Sequence, residues 1–200
     1  MDSVLVGAAG AFGLAAAAGL NTSLPLLLVG LAARLGLLTL ATPYDALSTN
    51  VALTGLALLA GLEIVADKMP GVDSLAHAVQ WPLTLAAGAI LFGSQHSIVR
   101  DVSPGLAVLV GLVTAGGVHT LRSIARPAIN LTTLGLGAPL VSALEDFSAF
   151  AISAAALLAP PLALALLLAL LLAFALLVLW AGTRPRPAKA SSSLEAPPVR

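Results

Sequence analysis

Residues 162–180 read LALALLLALLLAFALLVLW, nineteen positions without a charge, a glycine or a proline. A helix needs about 20 apolar residues, at a rise of about 1.5 Å each, to cross the hydrocarbon of a bilayer. Leu and Ala are strong helix formers, and a helix satisfies its own backbone where no water can do so. An outer-membrane strand would alternate apolar and polar side chains over about ten positions, which this run does not do. The stretch therefore predicts a transmembrane helix, and Pro160-Pro161 marks its start.

The same property recurs upstream. No Asp, Glu, Lys or Arg occurs in 4–33, 46–62, 74–99, 102–121, 127–144 or 147–183. These windows predict helices over about 4–20, 50–66, 81–98, 105–120, 142–158 and 162–180, giving six crossings. The segments 24–38 and 121–140 are expected not to cross fully. Of 200 residues 59% are hydrophobic and 9% charged, against about 25% charged in a soluble domain, so most of the surface must face something apolar. The expected class is all-α, a polytopic transmembrane helical bundle over 1–183. The Pro-, Ser- and Ala-rich tail 184–200 is predicted to be disordered. Met1-Asp2-Ser3 lacks the positive region of a signal peptide, so the run from Val4 is expected to be a retained first helix.

Charge and motif content exclude several classes. The net charge is zero with no basic stripe, so no nucleic-acid partner is expected. Without Cys there is no disulfide, thiolate catalysis or Cys-held metal. Gly-x-Ser-x-Gly, His-Glu-x-x-His and the P-loop are absent, so no enzyme is expected and no cofactor is called for. With six crossings and both termini cytoplasmic, Lys68, Arg122, Arg126, Arg184, Arg186 and Lys189 lie inside and Arg100 outside.

Shifting the chain by 98 lays 7–22 over 105–120 with seven of sixteen pairs identical, and a shift of 82 matches Leu62-Glu63 to Leu144-Glu145. An internal repeat is expected, about 4–99 and 104–181, with an inverted relation and broken or re-entrant helices. The breaks fall at Gly19-Leu20-Asn21-Thr22, before Pro25, and at Gly117-Val118-His119-Thr120. An ordinary loop is the plainer alternative.

Glu63 and Asp67 stand four apart on one helix face, Asp73 and His77 have the same spacing beyond the Pro70-Gly71 turn, and Glu145-Asp146 open a later helix. Such groups in or near a membrane are costly and are functional candidates. They could bind a cation, relay protons, or pair with Lys68, Arg122 and Arg126. Structural readings compete: Glu145 and Asp146 suit a helix N-terminus, Asp73 suits a cap, and Glu63 and Asp67 suit the membrane edge. Asp67, Asp73, His77 and Glu145 could hold a metal only if the halves meet, and the metal stays unknown.

Ala18-Gly19-Leu20-Asn21 before Pro25-Leu26-Leu27, Glu63 with Ala66-Asp67-Lys68-Met69-Pro70-Gly71-Val72-Asp73-Ser74, and Ser142-Ala143-Leu144-Glu145-Asp146 resemble a bacterial integral membrane family catalogued only as a domain of unknown function. The resemblance covers about 4–180 and implies a multi-pass protein of a bacterial inner membrane. It carries no activity to transfer.

The residues themselves suggest a small transporter or channel-like permease. Its partners are the lipid bilayer and a small solute or ion; a homo-oligomer is left open. Asn21, Thr22, His119 and Thr120 would line the site. Glu63 and Glu145 would bind a cation or couple a proton, with Asp67, Asp73 and Asp146 on the same pathway. A non-catalytic scaffold is the alternative, with Gly7, Gly10, Gly13 and Ala17 serving only helix packing. An intramembrane enzyme acting on lipid is the third.

Overall fold

Four alanines in a row, Ala15 to Ala18, are each fully buried. A helix hidden on every face lies at the centre of a bundle. The computed structural model describes residues 3–68, 73–95, 103–133 and 138–183. It contains α1 (Ser3–Leu20), α2 (Ser23–Arg34), a 3-10 turn (Tyr44–Ser48), α3 (Asn50–Ala66), α4 (Asp73–Gly93), α5 (Pro104–Thr133), α6 (Ala138–Leu158) and α7 (Pro160–Thr183). The described residues hold no strand. Helix α1 is the axis, in contact with α2, α4, α5, α6 and α7. Its small residues allow close approach: a Cβ on Gly19 would lie 2.6 Å from the Val118 Cβ, and one on Gly13 2.9 Å from the Ala163 Cβ.

Helices α5, α6 and α7 contain the three spans long and apolar enough to cross a membrane, at Pro104–Arg126, Pro139–Leu158 and Pro160–Leu177. Apolar runs within α1 to α4 are shorter. Along α7, Leu164, Leu168, Leu172, Leu176 and Leu179 form an exposed stripe, while Ala163, Leu167 and Phe174 are buried. Such an outer face requires an apolar surrounding.

Neighbour pairs set the direction of each helix. Gly10 lies against Ala156 and Pro160, and Gly13 against Ile152, Ala156 and Ala163, so α6 runs opposite to α1 and α7 alongside it. Thr22 meets Thr84 and the Phe12 and Phe92 rings pack edge-on at 5.1 Å, so α4 is also antiparallel to α1. Gly30 of α2 meets Leu47 and Leu53, Ser23 meets Glu63, and Ala41 N–H donates to Ser94 O. Thus α2 turns back toward the end where α1 begins, and α1–α2 is an antiparallel hairpin.

Three expectations are corrected. The seven described helices alternate in direction and leave Ser3 and Thr183 at opposite ends of the bundle, whereas six crossings with both termini cytoplasmic would bring them to the same end. The segments matched at a shift of 98 run the same way: Gly111 sits beside Phe92 and hence at the level of Phe12, while Gly19 meets Ala115 and Val118. They are not an inverted pair. Finally, α5 is unbroken at His119-Thr120 and continues to Thr133. There the Thr120 hydroxyl donates to Gly116 O of its own helix at 2.7 Å, and the charges on Arg122 and Arg126 are compensated by carboxylates of other helices. The expected turn at Pro70-Gly71, together with His96, Arg100 and the tail 184–200, lies outside the described residues.

Reporters fused before Ser3 and after Thr183 should read opposite sides of the membrane. The same compartment at both ends would contradict the alternation.

Candidate functional site

The break between α1 and α2 exposes backbone groups that the helices' own hydrogen-bond ladders cannot satisfy. Asn21 begins the repair. Its own N–H still donates to Ala17 O, and its Oδ1 accepts from Ser23 N at 3.2 Å and Leu24 N at 3.0 Å. This short polar side chain caps α2 as Asn does in soluble proteins. Other helices complete the repair. At the end of α1 the Leu20 carbonyl accepts from Arg122 Nη1 at 2.6 Å. At the start of α2 the Glu63 carboxylate accepts from Thr22 N at 2.8 Å, Ser23 N at 3.1 Å and the Ser23 hydroxyl at 2.8 Å. A cation thus meets the negative end of one helix dipole and an anion the positive end of the next.

Gln80 Nε2 of α4 also donates to Glu63, at 2.9 Å, and the Thr22 and Thr84 hydroxyls are 2.9 Å apart. Asp67 is one turn after Glu63 and accepts from both Arg122 and Arg126, the latter at 3.1 Å. Glu145 of α6 takes Arg122 Nε at 2.8 Å and Arg126 Nη2 at 2.5 Å. Asp146 beside it binds Lys68 Nζ and Asn21 Nδ2, each at 3.0 Å. Arg122 and Glu145 are 3% and 4% exposed, so these charges are held by each other and not by water. Glu145 lies six residues into the α6 span, about 9 Å from its start at the helical rise. The cluster therefore sits inside one end of the apolar bundle.

A cavity of about 210 Å³ adjoins it between α3 and α4. Its wall is almost wholly apolar, with Leu59, Leu62, Val79 and Leu83 prominent, while Thr22, Ser23, Glu63, Asp67 and Gln80 border it and expose little polar surface to it. The four apolar side chains are exposed on the bundle's outer face, which makes the cavity a lateral groove.

Of the expected site residues, Asn21, Thr22, Glu63, Asp67, Glu145 and Asp146 come together. His119 is buried on α5, one turn before Arg122, but does not line this cavity. Thr120 is exposed and hydrogen-bonds within its own helix. Asp73 begins α4, and its side chain and that of His77 lie outside the described residues. Among the described residues no three His, Asp or Glu converge as a metal site, and Asp67 and Glu145 meet around guanidinium groups. Sequence reasoning missed Ser23, Gln80 and Thr84. The signal was present for the last two, which are polar residues inside the uncharged window 74–99.

A family model described as Domain of unknown function (DUF4126) matches residues 8–180. No curated protein and no solved structure matches the chain.

Proposed function

The chain belongs to the family described as Domain of unknown function (DUF4126), and we propose that it is a small permease of a bacterial inner membrane that moves a small solute or ion, coupled to a proton or cation. One observation carries the reading. A broken helix inside an apolar bundle has its free backbone groups held by Arg122 and Glu63 of other helices, beside a cavity. Irregular backbone at membrane depth is tolerated where protein or a water-filled cavity satisfies it, and broken helices of this kind form the binding sites of many transporters. Glu63 and Thr22 are the residues at the solute, and the Arg122–Asp67–Glu145–Arg126 group is the element that can re-pair between two states. The end of the bundle with Lys68, Arg122 and Arg126 also leads into Arg184, Arg186 and Lys189, so it is cytoplasmic by the distribution of basic residues, and Ser3 faces outward.

The scaffold reading has one observation in its favour: Asp67, Glu145 and Asp146 each already have a cationic partner, as a static lock would require. Water access separates the two. Ser23→Cys exchanges one oxygen for sulfur in a chain with no other thiol. Ser23 is fully buried in this structure, so a permease must open a second state in which a membrane-impermeant thiol reagent, applied to membrane vesicles, labels the new Cys from at least one side. Ser153→Cys, in the α6 core with its hydroxyl on Ala149 O, should stay unlabelled. If the Ser23→Cys protein folds and labels from neither side, the permease reading falls and the scaffold stands.

A further inference from the structure

We propose that the groove between α3 and α4 binds a small amphiphilic cation, an ammonium group on a short alkyl chain, which enters sideways from the lipid. Charge complementarity selects this occupant. The cluster around the helix break contains four carboxylates, Glu63, Asp67, Glu145 and Asp146, and three cations, Lys68, Arg122 and Arg126. Every carboxylate but one pairs with a cation. Glu63 takes all its hydrogen bonds from neutral donors: two backbone N–H groups, the Ser23 hydroxyl and the Gln80 amide. Among the described residues of this cluster one negative charge, that of Glu63, is therefore left without a counter-charge, and it stands at the wall of the groove. An ammonium group there would restore the balance of four against four in a medium of low dielectric, where an unmatched charge is costly.

The walls select the rest of the molecule. Leu59 and Leu62 of α3 face Val79 and Leu83 of α4 across the groove, and all four are exposed on the surface that meets lipid. A hydrated inorganic ion would have to shed its water against these side chains, whereas an alkyl chain gains by contact with them. At about 210 Å³ the space is below the roughly 300–1,000 Å³ of drug-sized ligand sites, so the chain is short. The inference deepens the permease reading by naming its cargo and rests on that reading only for the cargo role.

The test uses the full chain in lipid nanodiscs, titrated calorimetrically with n-hexylammonium after subtraction of empty discs. Saturable binding is expected, with n-hexanol and hexanoate failing to compete. Glu63→Gln keeps the size of the side chain and removes its charge, and it should weaken binding at least about tenfold, the range of a charge-assisted contact. Leu83→Trp fills the groove from its rim without touching the Glu63 hydrogen bonds and should do the same. Asp45→Asn, in the 3-10 turn near the opposite end, should bind like wild type. Competition by hexanol, or wild-type affinity in either Glu63→Gln or Leu83→Trp, overturns the proposal. Should Glu63→Gln fail to fold, Leu83→Trp and the hexanol competition still decide. Binding without uptake into liposomes would remove the permease reading and leave the site standing. Thiol labelling at Ser23→Cys without cation binding would do the reverse.

Discussion

Replacing Arg122 with Met should cost about 3–5 kcal/mol, the range for removing one member of a buried ion group. The guanidinium joins three partners: the Leu20 carbonyl, Asp67 and Glu145. Met has similar length but leaves the α1 carbonyl without its donor and two buried carboxylates sharing Arg126 alone. Arg122→Lys should recover only part of the loss, since an ammonium group cannot reproduce a planar fork spread over three acceptors. The double replacement Arg122→Met with Glu145→Met should lose less than Arg122→Met alone, because Arg126 and Asp67 then remain as a matched pair. Reversible unfolding in mixed detergent measures all three. A loss under about 1 kcal/mol for Arg122→Met would mean that the cluster is not the lock its geometry describes.

The second large effect is steric. Helices α4 and α5 touch backbone to backbone at Gly88 and Gly111: a Cβ on Gly88 would lie 2.5 Å from Gly111 O and closer still to the Ala115 Cβ. Gly88→Leu must push the two helices apart and should cost about 3 kcal/mol or more, the upper range of overpacking. The same unfolding measurement on Gly61→Leu supplies the contrast. Nothing lies within 4 Å of that position on α3, and the change should stay within about 0.5 kcal/mol. Equal losses at the two glycines would show that α4 and α5 do not cross as closely as described.

The helices were legible in the sequence because an uncharged window of about 18 residues is a local property. The break at Asn21-Thr22 was legible for the same reason, since Asn, Thr, Ser and Pro25 crowd into five positions. Its expected counterpart at His119-Thr120 failed because Thr can satisfy its hydroxyl on the carbonyl four residues back, and composition does not distinguish that from a turn. The continuation of α5 past Arg122 and Arg126 was hidden because the compensating charges are 55 residues upstream and 23 downstream of Arg122. Among the site residues, the acids stood out as rare charges in an apolar chain. Their roles did not: nothing near Glu63 in sequence says that it closes a helix start 41 residues earlier. Sequence identity between two segments is also silent on whether they run the same way or opposite ways.

The partners of the helix break bear on how the protein is made. Leu20 leaves the ribosome early, but its hydrogen-bond donor Arg122 is 102 residues later and the Asp146 partner of Asn21 is 125 residues later. At about 5–20 residues per second, synthesis of the first interval alone takes about 5–20 s. For that time the Leu20 carbonyl lacks its donor, although the start of α2 already has Asn21 and, after 41 residues, Glu63. The axis of the bundle is therefore synthesised before the helices that complete it, and nascent chains that end before α6 should be preferred targets for membrane proteases.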